Sequence, residues 1–386
     1  MSIFFHSENK LGMYIHIPVC LQKCHYCDFY SIPLNKMGLI STYTNALLRE
    51  IDCRCREANG QLVDTVYLGG GTPSLLSAQE VKLLLDRIRM KFLLTSNPEI
   101  TLEVNPATIS RAKVLGYIEA GVNRLSVGAQ SFIGRNLKVL GRLHTPEDIL
   151  ETVDIIRTCG IKNLNLDLIY GIPAQSQAEW ETSLKAAVNC HPEHISVYLL
   201  EPGVNTPLRH SIEKGRIASL AEDTEGAMYD YAIEYLADHG FTQYELSNFS
   251  LPGQECRHNL KYWGAYQYIG LGAGAVSFDG AARSMNKPVI KTYIDCLSHG
   301  KSCPVEILES MSDREVVADA LILGLRLCAG INLEAFKLRF NTDIISDFPA
   351  IIPLIDQGLL EIEHGYLRLT RGSYFVSNQV FYRLII

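Results

Sequence analysis

A chain of 386 residues, 47% of them apolar and 20% charged, can bury one large core and leave material for a second, smaller one. A net charge of −7, with no run of basic residues, offers no electrostatic footprint for nucleic acid and excludes charge-driven DNA binding. The opening MSIFFHSENK lacks the basic and apolar regions of a secretory signal, and the longest uncharged stretch, Tyr262 to Phe278, is too short for a membrane helix, so a cytoplasmic protein is expected.

Six short apolar runs read as strands: Met13–Ile17, Asp64–Leu68, Ile100–Val104, Arg124–Gly128, Leu164–Ile169 and His194–Leu199. Segments between them have helical spacing, such as Ser77–Phe92 with Val81, Leu84, Leu85 and Ile88, and Pro146–Cys159 with Ile149, Val153 and Ile156. Strands alternating with helices predict a parallel, barrel-like α/β domain. A helical stretch near Ala221–His239 and a Gly- and Tyr-rich section follow. The tail reads as helices Asp313–Leu327, Leu333–Phe340 and Phe348–Gln357, then a hairpin of Leu359–Glu363 and Tyr366–Leu369 turned at His364-Gly365. That order resembles a winged helix. With seven Lys/Arg against nine Asp/Glu in residues 310–386, it reads as a protein-contact or lid module rather than a DNA reader.

In such barrels the loops after the C-terminal ends of the strands carry the chemistry. Polar and glycine residues gather there: a cysteine cluster after the first strand, Gly69-Gly70-Gly71-Thr72-Pro73 after the second, Glu103 with Asn105, then Gln130, Asp167 and Glu201.

Cys20-x3-Cys24-x2-Cys27 leaves the first strand, which Pro18 stops. Soft thiolates at this spacing suit zinc or an iron–sulfur cluster. A structural zinc takes four closed ligands, and His16 and His25 stand at no familiar zinc spacing. Three cysteines suit a [4Fe-4S] cubane with one iron left open; zinc and three plain buried thiols remain the alternatives. Of the eleven cysteines, Cys53, Cys55, Cys159, Cys190, Cys256, Cys296, Cys303 and Cys328 show no ligand-like grouping beyond the Cys53/Cys55 pair and stay unassigned.

Here the chain resembles the radical S-adenosylmethionine proteins, in which the open iron chelates S-adenosylmethionine. The stretch Tyr14-Ile-His-Ile-Pro-Val-Cys20, with Cys24-His-Tyr-Cys27-Asp-Phe29, is similar to the branch of the oxygen-independent coproporphyrinogen III oxidases. The likeness continues through Leu68–Ser74, Leu102–Pro106, Arg124–Phe132, Gly141–His144, Asp167–Gly171 and Glu201-Pro202. It implies a partial (β/α)6 TIM-like barrel over residues 1–205. A connecting region over 206–305 would complete the barrel, and a C-terminal α+β region would end in a winged-helix-like module over 306–386. Position by position, it implies Cys20, Cys24 and Cys27 on the cluster, Tyr14 in support and Tyr26 near the adenine. Gly70, Gly71 and Thr72 fall at the methionyl end, and Glu103, Gln130, Arg142 and Asp167 complete the polar shell, with Glu201 and Val276 at its margin. Taken singly, Gly69–Gly71 could equally be a tight turn, Glu103 and Arg142 an ion pair, and Gln130 a loop residue.

Two features depart from the oxidases, which carry a fourth cysteine beyond the third and a substantial N-terminal segment. Phe29 stands at that fourth position, and nineteen residues precede Cys20. Both look like the heme-chaperone sister group, which binds heme and delivers it to acceptor proteins. His258-Asn-Leu-Lys-Tyr-Trp263 resembles the H-N-x-x-Y-W segment of that group, making His258 a candidate heme ligand; the alternative is a hydrogen-bonded histidine beside a structural aromatic pair. The expected cofactors are thus the cluster, S-adenosylmethionine and heme. The expected partner is a heme acceptor, membrane-associated acceptors included, with coproporphyrinogen decarboxylation in porphyrin biosynthesis as the competing activity. Gly270-Leu-Gly272-Ala-Gly-Ala275 matches a dinucleotide fingerprint but leads into the turn Asp279-Gly280 instead of a helix, which argues against that reading.

Overall fold

The computed structural model describes residues 10–34, 38–298 and 305–385. Cys303 and nearly all of the N-terminal decapeptide lie outside them. Strands β1 (Lys10–Ile17), β2 (Leu62–Gly70), β3 (Leu93–Val104), β4 (Arg124–Gln130), β5 (Leu164–Tyr170) and β6 (His194–Leu199) lie side by side in chain order, all parallel. The expected partial α/β barrel is therefore present. β3 begins seven residues before the apolar run at Ile100, because Leu93 and Leu94 pair with β2 ahead of a register shift, while Leu93–Pro98 stays largely outside the core and carries no apolar pattern.

The sheet continues at both ends, through strands of three to six residues, too short to show a period of two. Beyond β6 lie β7 (Thr242–Glu245) and β8 (Asn248–Ser250), with β8 against β6. Beside β1 runs β9 (Tyr268–Leu271), parallel to it, and then β10 (Val276–Phe278), β11 (Ala282–Asn286) and β12 (Val305–Ser310) as an antiparallel ladder. The order across twelve strands is β12-β11-β10-β9-β1-β2-β3-β4-β5-β6-β8-β7. Of the glycines of the dinucleotide decoy, Gly270 lies in β9 and Gly272 and Gly274 in its link to β10. A Cβ on Gly270 would fall 2.1 Å from the Val276 carbonyl oxygen, and Gly272 has φ +100° against the His16 carbonyl.

Four helices start at a reciprocal cap supplied by the sequence. Ser77 and Glu80, Thr145 and Asp148, Ser176 and Glu179, and Ser312 and Glu315 each exchange side-chain-to-backbone hydrogen bonds at a helix start. The apolar faces of the helices between the strands and both faces of the sheet form one large core.

A second core gathers Val317, Leu321, Phe336, Ile351, Leu354, Leu367 and Val380, together with Leu246 and Ala265 from the preceding region. It is covered by the helices Asp313–Gly324 and Leu333–Phe340 and a small sheet of β13 (Ile331–Asn332), β14 (Leu360–Glu363) and β15 (Tyr366–Leu369). The third expected helix, Phe348–Gln357, is shortened to Ile351–Asp356, and a single turn, Ile344–Asp347, precedes it. Pro353 accounts for this: it has no N–H to give to a residue four back, so it fits only the first turn of the later helix. Among the described residues, no helix is long and apolar enough to cross a membrane.

Candidate functional site

The cysteine loop is held by backbone hydrogen bonds to distant chain. His25 N–H donates to the Leu140 carbonyl (2.9 Å), and the His25 carbonyl accepts from Leu208 N–H (2.9 Å). The Tyr26 carbonyl accepts from Gly203 N–H (3.3 Å), and the Cys20 carbonyl from Leu34 N–H (2.7 Å). Between this loop and the C-terminal ends of β2–β6 lies a cavity of about 590 Å³. Cys20, Cys24, Cys27, Tyr26, Gly70, Gly71, Thr72, Glu103, Gln130, Arg142 and Asp167 all border it, as does Glu201. Tyr14, Val276 and His258 do not.

The glycines after β2 are there for space. A Cβ on Gly71 would stand 2.7 Å from the Val19 carbonyl oxygen, 2.9 Å from that of Ile17 and 3.0 Å from Cys20 Sγ; one on Gly70, where φ is +111°, would enter the His16 ring. Glu103, at the end of β3, accepts the Tyr67 hydroxyl on Oε1 (2.9 Å) and the Gly70 N–H on Oε2 (3.1 Å). Burial, followed by the nearby Asp167 carboxylate, pushes its carboxyl up to about 7 against the two hydrogen bonds. Asp167 is likewise raised by burial, although Ser126 Oγ–H (3.2 Å) and Asn165 Nδ2–H (2.7 Å) donate to it.

Arg142 reaches across the cavity wall. Its Nη1 lies 3.5 Å from Cys24 Sγ, while Nη2 donates to Asn105 Oδ1 (2.8 Å) and the Gly128 carbonyl (2.7 Å). Asn105 in turn donates to Thr72 Oγ1 (2.8 Å). Gln130 ends β4 in a left-handed conformation (φ +66°), where the register with β5 slips, a strained setting for a side chain at a cavity. Tyr14 sits beneath Gly69 with its hydroxyl 3.0 Å from His16 Nδ1 and its ring stacked on Tyr67.

The donor set fits a cluster better than zinc. Three thiols border one cavity, and burial, with Cys24 and Cys20 close by, raises the Cys27 thiol. Neither histidine borders the cavity, and His16 is engaged at both ring nitrogens, with Nδ1 3.0 Å from the Tyr14 hydroxyl and Nε2 2.8 Å from the Tyr30 carbonyl. Among the described residues no three His, Cys, Asp or Glu side chains are grouped to hold a single metal ion.

His258 lies elsewhere. It is buried, with Nδ1 2.8 Å from Thr65 Oγ1 and Nε2 2.9 Å from the Tyr262 hydroxyl, and burial holds it at about 3. Both ring nitrogens are engaged, so in this arrangement it is the hydrogen-bonded histidine of the two readings; iron ligation would require displacing one partner. Asn105, expected beside Glu103, borders the cavity, and so do Tyr67, Ser126 and Tyr198, which do not stand among the expected site residues. Strand alternation holds the signal for two of them: Tyr67 precedes Gly69, and Ser126 precedes Gly128, by one period of two.

Comparison with known proteins agrees with this architecture. Residues 14–187 match the Radical SAM superfamily and residues 311–375 the HemN C-terminal domain. The heme chaperone HemW of Bacillus subtilis is 34% identical over 370 residues, 95% of this chain and 97% of that protein. That of Escherichia coli is 40% identical over 266 residues, 69% of each chain. The solved structure of coproporphyrinogen III oxidase (HemN) from Escherichia coli superposes with a TM-score of 0.85 at 20% identity, covering 99% of this chain and 92% of the other.

Proposed function

The chain belongs to the HemW family of radical S-adenosylmethionine proteins, and on that ground we propose that it is a heme chaperone, which binds a [4Fe-4S] cluster, S-adenosylmethionine and heme and passes heme to an acceptor protein. Cys20, Cys24 and Cys27 would hold the cluster, which when bound supplies an electron at its open iron. The chain's own groups bind and orient around it. Gly70 and Gly71 let backbone approach a methionyl group closely, Glu103 takes its ammonium, and Asp167 takes ribose hydroxyls. Tyr26 offers a ring to adenine, and the Arg142 guanidinium offsets thiolate charge beside Cys24 while Asn105 fixes it to Thr72.

The observation that carries the chaperone reading is Phe29. It borders the cavity 67% exposed, an apolar ring where the oxidases place a further thiol. The competing reading, an oxygen-independent coproporphyrinogen III oxidase, draws on the likeness of fold to HemN. Incubating the anaerobically reconstituted protein with reductant, S-adenosylmethionine and coproporphyrinogen III separates the two. Stoichiometric heme binding without protoporphyrinogen is expected, and catalytic turnover to protoporphyrinogen would overturn the chaperone reading.

A further inference from the structure

His258-Asn-Leu-Lys-Tyr-Trp263 forms a helix, Arg257–Trp263, that closes the barrel at the end opposite the cysteine loop. Its contacts are with the early residues of the strands. Glu99 of β3 caps its start, accepting the N–H groups of Arg257 and His258 (both 3.0 Å). Lys261 Nζ, buried, pairs with Asp64 Oδ1 (2.7 Å) and donates to the Lys10 carbonyl (2.9 Å). The helix therefore cannot shift without disturbing β1, β2 and β3 together.

Above this floor, the His258 ring stacks on the ring of Tyr67, with centroids 5.1 Å apart and planes 24° apart. Tyr14 stacks on Tyr67 at 6.2 Å. Thr65 and Tyr262 lock the His258 ring by its two nitrogens, so it presents one face to Tyr67. The Tyr67 hydroxyl then meets Glu103 Oε1 while Gly70 N–H meets Oε2. A glutamate with three rotatable bonds is held by two donors, and the direction of one depends on the stack beneath it.

We propose that His258 is a positioning residue for the S-adenosylmethionine site: it fixes the Tyr67 ring, and through its hydroxyl the Glu103 carboxylate that meets the ligand. This rests on the reading of Glu103 given under Proposed function. The motif thereby acquires a role in building the cavity from below.

The test measures S-adenosylmethionine affinity, by equilibrium dialysis of the cluster-loaded protein, for Tyr67→Phe, His258→Ala, Thr65→Val and the pair Tyr67→Phe/His258→Ala. Each of the first two is expected to weaken binding about tenfold, the worth of one charge-assisted hydrogen bond, and the pair no more than Tyr67→Phe alone. Thr65→Val keeps the ring but frees its tilt; it is expected to weaken binding less, and it carries the test if His258→Ala does not fold. A merely structural histidine would lower the melting temperature and leave the affinity of the folded protein alone. Affinity within twofold of wild type in His258→Ala, or in Thr65→Val where His258→Ala fails to fold, sinks the proposal. So does a loss that adds to that of Tyr67→Phe, or loss of the heme absorption band with S-adenosylmethionine binding intact, which would make His258 the heme ligand. A wild-type protein that binds no S-adenosylmethionine overturns the cavity reading as well, and so is told apart from failure of this inference alone.

Discussion

At the scale of single residues, Glu103 gives the site its pH dependence. Its carboxyl holds a proton up to about 7 in the folded chain, against an ordinary value of 4.5. Below that point it is neutral and cannot pair with an ammonium. Between the ordinary and the folded value the folded state binds the extra proton, so the stability this gives is lost as pH rises through about 7, and a cationic ligand restores it. Affinity for S-adenosylmethionine is therefore expected to climb from about pH 6 to about pH 8 and to be flat and roughly tenfold weaker in Glu103→Gln, read by calorimetric titration. Asp167, Tyr67 and Arg124 face the same carboxyl and set where the midpoint falls. Gly71 sets a steric limit instead. Its Cβ in Gly71→Ala would press on the Ile17 and Val19 carbonyls and Cys20 Sγ, so iron bound per chain is expected to fall severalfold while the helix signal in circular dichroism persists.

At the scale of elements, the helix Arg257–Trp263 is fastened by a buried ion pair, Lys261 with Asp64. Removing one partner strands the other: Lys261→Met is expected to cost about 3–5 kcal/mol in urea unfolding, and adding Asp64→Leu to recover most of it. This element also marks the limit of what the sequence alone can tell. Its six residues were legible as a motif, but the motif suggested a ligand because histidine beside Tyr and Trp is chemically versatile. Only the tertiary partners Thr65, Tyr67 and Glu99, from strands far away in the chain, show where the ring is held. The six parallel strands and the helices over Ser77–Phe92 and Pro146–Cys159 were readable because each rests on local spacing. β9 to β12 were not, since three- to six-residue antiparallel strands interrupted by glycine leave no periodic trace and form through pairing with one another. Tyr67 and Ser126 sit inside strands, where alternation places them on the face of Gly69 and Gly128, but only closure of the sheet makes that face the lumen.

At the scale of the whole molecule, the two cores meet just past this helix. Arg326 lies over the Trp263 ring at 4.4 Å, and Arg339 donates to the Gly264 (2.6 Å) and Ala265 (2.7 Å) carbonyls while lying over Tyr266. Arg339→Ala is expected to speed amide exchange in the helix Asp313–Gly324 by roughly tenfold, with the barrel strands unchanged, the effect of removing about 1.5 kcal/mol of charge-assisted bonding at one seam. The cysteine loop is tied the opposite way, by backbone hydrogen bonds from His25, Tyr26 and Cys20 to Leu140, Gly203, Leu208 and Leu34, none of which calls on a thiol. These ties do not depend on iron. Exposure to air would empty the socket without collapsing it, so a chelator-stripped chain is expected to keep its protease resistance, and repair after oxidative damage should need iron, sulfide and reductant but no refolding.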